Sequence, residues 1–123
     1  MTTVAHNDRE LLELAAKAAG IKLLRIRLDD PLCKDFLIEN SPRNQFQKAG
    51  PWSPLADDGD ALRLAVSLGM DVDVCRVTNS TWAMSGYSDE GGCAENHADD
   101  PGAATRRAIV RAAAEIARNQ AKD

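Results

Sequence analysis

The sequence predicts an α+β protein: three helices packed on a small, mainly antiparallel sheet, in an α/β/α sandwich-like arrangement. Apolar residues recur at helical spacing in three separated segments, each opened by a capping residue. Between these segments lie short runs that alternate apolar and polar residues or are rich in β-branched ones. The order is helix, two strands, loop, helix, two strands, helix, and 123 residues fit a single globular domain over 1–123.

The first helix is expected over residues 7–19, NDRELLELAAKAA, with Leu11, Leu12, Leu14, Ala15 and Ala18 on one stripe. Asn7 reads as its N-cap, Glu10 as the capping-box partner and Gly20 as the left-handed residue that ends it. IKLLRIRL then alternates, with Leu24, Ile26 and Leu28 on one face and Arg25 and Arg27 on the other. Asp30-Pro31 turns the chain, and CKDFLIEN supplies a second short strand with Phe36 and Ile38 on one face. A loop is expected at about 41–56, because Pro42, Gly50, Pro51 and Pro54 remove donors and fix the backbone. The second helix, DDGDALRLAVSLG, is capped by Asp57 or Asp58, stopped by Gly69, and presents Leu62, Ala65, Val66 and Leu68 as its apolar face. DVDVCRV and NSTWAMSGYSD read as antiparallel neighbours across Asn79-Ser80. A second loop is expected at 89–100, dense in Gly, Asp and Asn. The third helix starts with Asp100 as cap and Pro101 at its first position, reaches Arg118 and then frays.

Composition excludes several function classes. A chain of this length buries about two-thirds of its unfolded surface, so it needs neither disulfide nor metal to fold. No apolar run approaches the length of a membrane span, and the first residues lack the order of a signal peptide. Cys33, Cys75 and Cys93 are odd in number and widely spaced, which fits a reducing cytoplasm. The net charge of −4 argues against broad binding to nucleic acid or an anionic membrane.

Three segments, RELLELAAKAAGI from Arg9, WSPLADDGDALRLAV from Trp52 and ATRRAIVRAAAEI from Ala104, together resemble the phage ABA sandwich domain. That family comprises small bacteriophage and prophage proteins of unknown biochemical activity, and the resemblance covers about a third of the chain. It implies helices packed around a sheet in a phage-encoded protein made inside a bacterial host. It brings no described active site.

Arg107, Arg111 and Arg118 share a narrow arc of the third helix, since spacings of four and eleven return near the same angle. The arc reads as a phosphate-binding face or, following the rule for outer faces, as the solvated side of an alanine-rich helix. Arg106 lies nearer the apolar side, placed to snorkel or to pair with an aspartate. Trp52 reads as a packing plug, whereas Trp82, with Tyr87, divides between core and binding surface. Asp57, Asp58 and Asp60 stand where a helix wants capping rather than in the spacing of a calcium loop. Cys93 and His97 are a fragment of a zinc pattern needing Cys33, Cys75 or His6 to complete it, and no metal or other cofactor is expected. No P-loop, Rossmann fingerprint or HExxH is present, and no cysteine has an oriented histidine, so an enzyme is not expected.

The leading expectation is therefore a non-enzymatic phage accessory protein in the host cytoplasm. It binds a host protein or defence complex and inhibits an anti-phage system such as a CRISPR effector. Its expected surface comprises Trp82, Tyr87 and the carboxylates Asp89, Glu90, Glu95, Asp99 and Asp100, which imitate a nucleic-acid backbone toward a basic partner. The alternative is a sponge for a cyclic-nucleotide defence signal, using Arg107, Arg111 and Arg118. Direct nucleic-acid binding ranks third. Alanine-rich helices leave room for a homodimer to complete the core.

Overall fold

Helix α3 (Pro101–Ala121) is the axis on which the other two helices and one of the two sheets pack. The computed structural model describes residues 4–26, 36–39, 41–42, 49–85 and 92–121. Along α3, Ala108, Ile109, Val110, Ala112, Ala113, Ala114 and Ala117 are all buried. Successive residues turn by about 100°, so Ala112, Ala113 and Ala114 point in three directions and each direction is covered. Alanine permits this because its side chain adds little to the radius of the helix and carries the best helix propensity.

The covering elements are α1 (Val4–Ala19), α2 (Asp58–Ser67) and an antiparallel sheet of β4 (Met70–Cys75), β5 (Ser80–Ser85) and β6 (Cys93–Asn96) in the order β4-β5-β6. A separate antiparallel sheet of β1 (Leu23–Ile26), β2 (Phe36–Glu39) and β3 (Ala49–Trp52), in the order β1-β2-β3, adds Ile38 and Trp52 to the same core. The α+β class holds, with the antiparallel strands divided between two three-stranded sheets.

Helix α1 ends as its sequence dictates. Gly20 has φ of 70°, its N–H donates to Lys17 O, and Ile21 N–H donates to Ala16 O, which together form a Schellman cap. Its start differs from expectation: α1 begins at Val4, so Asn7 lies inside the helix and is not its cap. In α2, Asp57 is the N-cap and its carboxylate accepts from Asp60 N–H at 2.8 Å. The α2 face is also corrected. Ala61, Leu64 and Ala65 are buried, while Leu62 is 63% and Val66 71% exposed. Two apolar stripes run along this short helix, and the one with the smaller residues fits closely against α3.

Both expected loops contain strands. β3 falls within 41–56 and pairs with β2 through Phe36↔Trp52 to Glu39↔Ala49; β6 falls within 89–100 and pairs with β5 through Ser80↔Asn96 to Ala83↔Cys93. Asp100 caps α3 as expected, its carboxylate accepting from Ala103 N–H at 3.0 Å. The helix runs to Ala121, past the expected end at Arg118.

Candidate binding surface

The second sheet has two unlike faces. Thr81, Ala83, Ser85 and Cys93 are buried toward α3. Strand alternation places Asp71, Asp73, Cys75, Ser80, Trp82, Met84, Ala94 and Asn96 on the opposite face, which no described element covers. Trp82 stands at its centre, 42% exposed, directly across from Asp73 on β4 and Ala94 on β6. Its indole N–H donates to Met84 Sδ at 3.3 Å, so the ring and the thioether lie together along the strand. These strand positions carry two carboxylates and no basic residue.

Asp71 and Asp73 are absent from the sequence-derived candidates. Their signal is the alternation in MDVDV, which puts both carboxylates on one side of a strand. Of the candidates, Trp82 lies on the outer face, Asp99 is exposed in the connection to α3, and Asp100 serves as that helix's cap. Tyr87, Asp89 and Glu90 lie outside the described residues, as do Cys33 and the side chain of His6.

Glu95 belongs to the other face, where it meets a residue expected in the rival site. Arg111 Nη1 donates to Glu95 Oε2 at 2.5 Å and to Ala94 O at 3.2 Å. Burial works against the guanidinium charge, but the bond to Glu95 and the nearby acids outweigh it, so the Arg111 pKa lies above its ordinary value. Arg107 donates twice to Asp8 Oδ1 of α1, at 2.6 and 2.8 Å, and Arg118 pairs with Glu115 at 2.6 Å. Every arginine of the basic arc is thus held by a carboxylate of the same chain.

Arg106 behaves likewise, donating to Leu55 O at 2.9 Å and to Asp58 at 2.6 Å. The aspartates beside α2 are all engaged: Asp57 caps, Asp58 holds Arg106, and buried Asp60 accepts from Ser53 N–H and from Arg63. Trp52 is buried in the core as a plug. No group of three metal-ligating side chains occurs among the described residues.

His97 is buried, its Nε2 lying 2.8 Å from Thr81 Oγ1, which in turn lies 2.8 Å from Thr105 Oγ1 on α3. This polar chain ties the end of β6 through β5 to α3. Its Nδ1 has no hydrogen-bond partner among the described residues. Among the described residues no helix is long and apolar enough to cross a membrane.

No protein-family model matches the chain, and neither does any curated protein or solved structure.

Proposed function

We propose that the chain is a non-enzymatic binding protein that lays the outer face of its second sheet against a basic surface of a macromolecular partner. The observation that carries this reading is Trp82, a large indole left 42% exposed beside two carboxylates. Tryptophan contributes strongly to binding when a partner desolvates it, and Asp71 and Asp73 steer a positively charged partner toward it.

The specific form of the proposal is an inhibitor of a bacterial anti-phage defence system, such as a CRISPR effector, acting in the host cytoplasm. The resemblance of the three helical segments to the phage ABA sandwich domain supports that form, and inhibition of this kind needs only a complementary surface. The nucleotide-sponge alternative is less well supported, because an anion must displace Asp8, Glu95 and Glu115 to reach Arg107, Arg111 and Arg118. Asp99 remains available to a basic partner, whereas Glu95 is committed to Arg111.

The test is parallel affinity capture from host lysate with the native chain and with Trp82→Ala, each first shown by circular dichroism to be folded. A host effector recovered with the native chain and lost with Trp82→Ala is the expected result. Equal recovery by both chains removes the outer face as the binding surface.

A further inference from the structure

Among the described residues, strand β4 is the outermost strand of its sheet and is bonded to β5 along one edge. Its other edge makes no backbone hydrogen bond to any described residue. Next to β4 runs a groove of about 390 Å³, lined by Val72 and Val74 of β4, Ala61, Leu62 and Ala65 of α2, and Ile109 of α3. The valines are 37% and 49% exposed, so the groove is apolar yet open to solvent.

An open edge beside an apolar groove favours an added strand, since backbone bonds supply affinity and alternate side chains enter the groove. The charge pattern of β4 restricts what that strand contains. Met70, Val72 and Val74 alternate with Asp71 and Asp73, so the aspartates lie on the outer face and the valines on the groove side. A second copy of β4, paired antiparallel with matching faces, sets aspartate against aspartate. Like charges directly opposite are destabilising, and charged residues on an edge guard against such self-pairing. The same carboxylates favour lysine or arginine across from them, so one feature both excludes and selects.

We propose that β4 and this groove receive an extended segment of a partner protein in which apolar and basic residues alternate, added to the sheet as a fourth strand. The inference rests on the reading of the chain as a binding protein but not on Trp82, which projects from the opposite face of the sheet. The apolar residues of the segment enter the groove between β4 and α2, and its basic residues lie beside Asp71 and Asp73.

The probe is a synthetic peptide of about seven residues, long enough to span β4, alternating valine and lysine. Its control alternates valine and glutamate. Binding to the full chain is followed by calorimetry and by amide chemical shifts. The expected result is a preference of about tenfold for the lysine peptide, with shifts in β4 and α2. In the double variant Asp71→Lys/Asp73→Lys the preference reverses. Equal binding of the two peptides, binding of neither, or shifts confined to the Trp82 face each overturn the inference. So does light scattering that shows the native chain self-associating with protection of the β4 amides. If the peptide binds as expected while Trp82→Ala captures partner as well as the native chain does, the outer-face reading alone fails; the reverse pattern sinks the edge inference alone.

Discussion

Cys75 and Cys93 belong to one sheet and have opposite chemistry. Hydrogen bonds from the Thr78 side chain and from the Thr78 and Val77 backbone hold the Cys75 thiol below its ordinary pKa. Burial pushes the Cys93 thiol up, against the opposing pull of Arg111. As pH rises, the unfolded chain therefore releases the Cys93 proton before the folded chain does. The stability this thiol contributes is complete below the ordinary thiol pKa, about 8.5, and is lost as pH rises through the higher folded value. In a chain carrying Cys33→Ser and Cys75→Ser, the urea midpoint falls above about pH 8.5, and adding Cys93→Ala flattens that limb. An alkaline limb that persists without Cys93 assigns it to another group. Much at this scale is legible in the sequence, since Asp57, Asp100 and Gly20 do locally what their residue types favour. The Cys93 environment is not, because its burial comes from α3 and β5, remote in sequence from any neighbouring motif.

The strands overlooked in the sequence share one circumstance: β3 and β6 are both edge strands. In AGPW, Gly50 and Pro51 read as breakers, yet an edge strand tolerates proline because its missing N–H can face away from the ladder. CAEN has no alternating pattern, and its pairing with β5 makes it a strand. Just before it, Gly92 approaches β5 so closely that an added Cβ would lie 2.2 Å from Ala83 O and 2.6 Å from Met84 Cβ. The neighbour on one side is backbone and cannot step aside cheaply. Gly92→Ala is expected to destabilise the chain by about 1–3 kcal/mol, the usual cost of overpacking, and to weaken amide protection in β6 first. A urea midpoint equal to that of the native chain contradicts this close approach. The helices are easier to read because periodicity and most caps are local. The exceptions are the start of α1, which lies before the capping signal at Asn7, and the choice of α2 face, which depends on what α3 offers.

At the scale of the molecule, one residue of the expected acidic site proves to be the partner of one from the basic arc: Glu95 and Arg111 stand sixteen positions apart on different elements. Arg107 of the same arc reaches back ninety-nine positions to Asp8, a carboxylate outside either expected site. Such pairings follow from the packing of α1 and β6 on α3, which composition does not reveal. The packing itself depends on alanine at the centre of the core. Ala113 is fully buried and sits on the helix that every covering layer shares. Ala113→Leu is expected to cost about 1–3 kcal/mol, measured by urea unfolding, because added methylenes force neighbouring side chains off their rotamers. A variant as stable as the native chain shows that the layers part without penalty.

The central position of α3 also bears on how the chain is made. Synthesis runs from the N-terminus, so α1, α2 and the second sheet emerge before the helix on which they pack. Until residues 101–121 leave the ribosome, Leu11, Ala15, Ala61 and Ala83 lack the helix that completes their core. The burial that α3 supplies is therefore gained only after the elements it covers have been made, and apolar surface exposed in the interval favours aggregation.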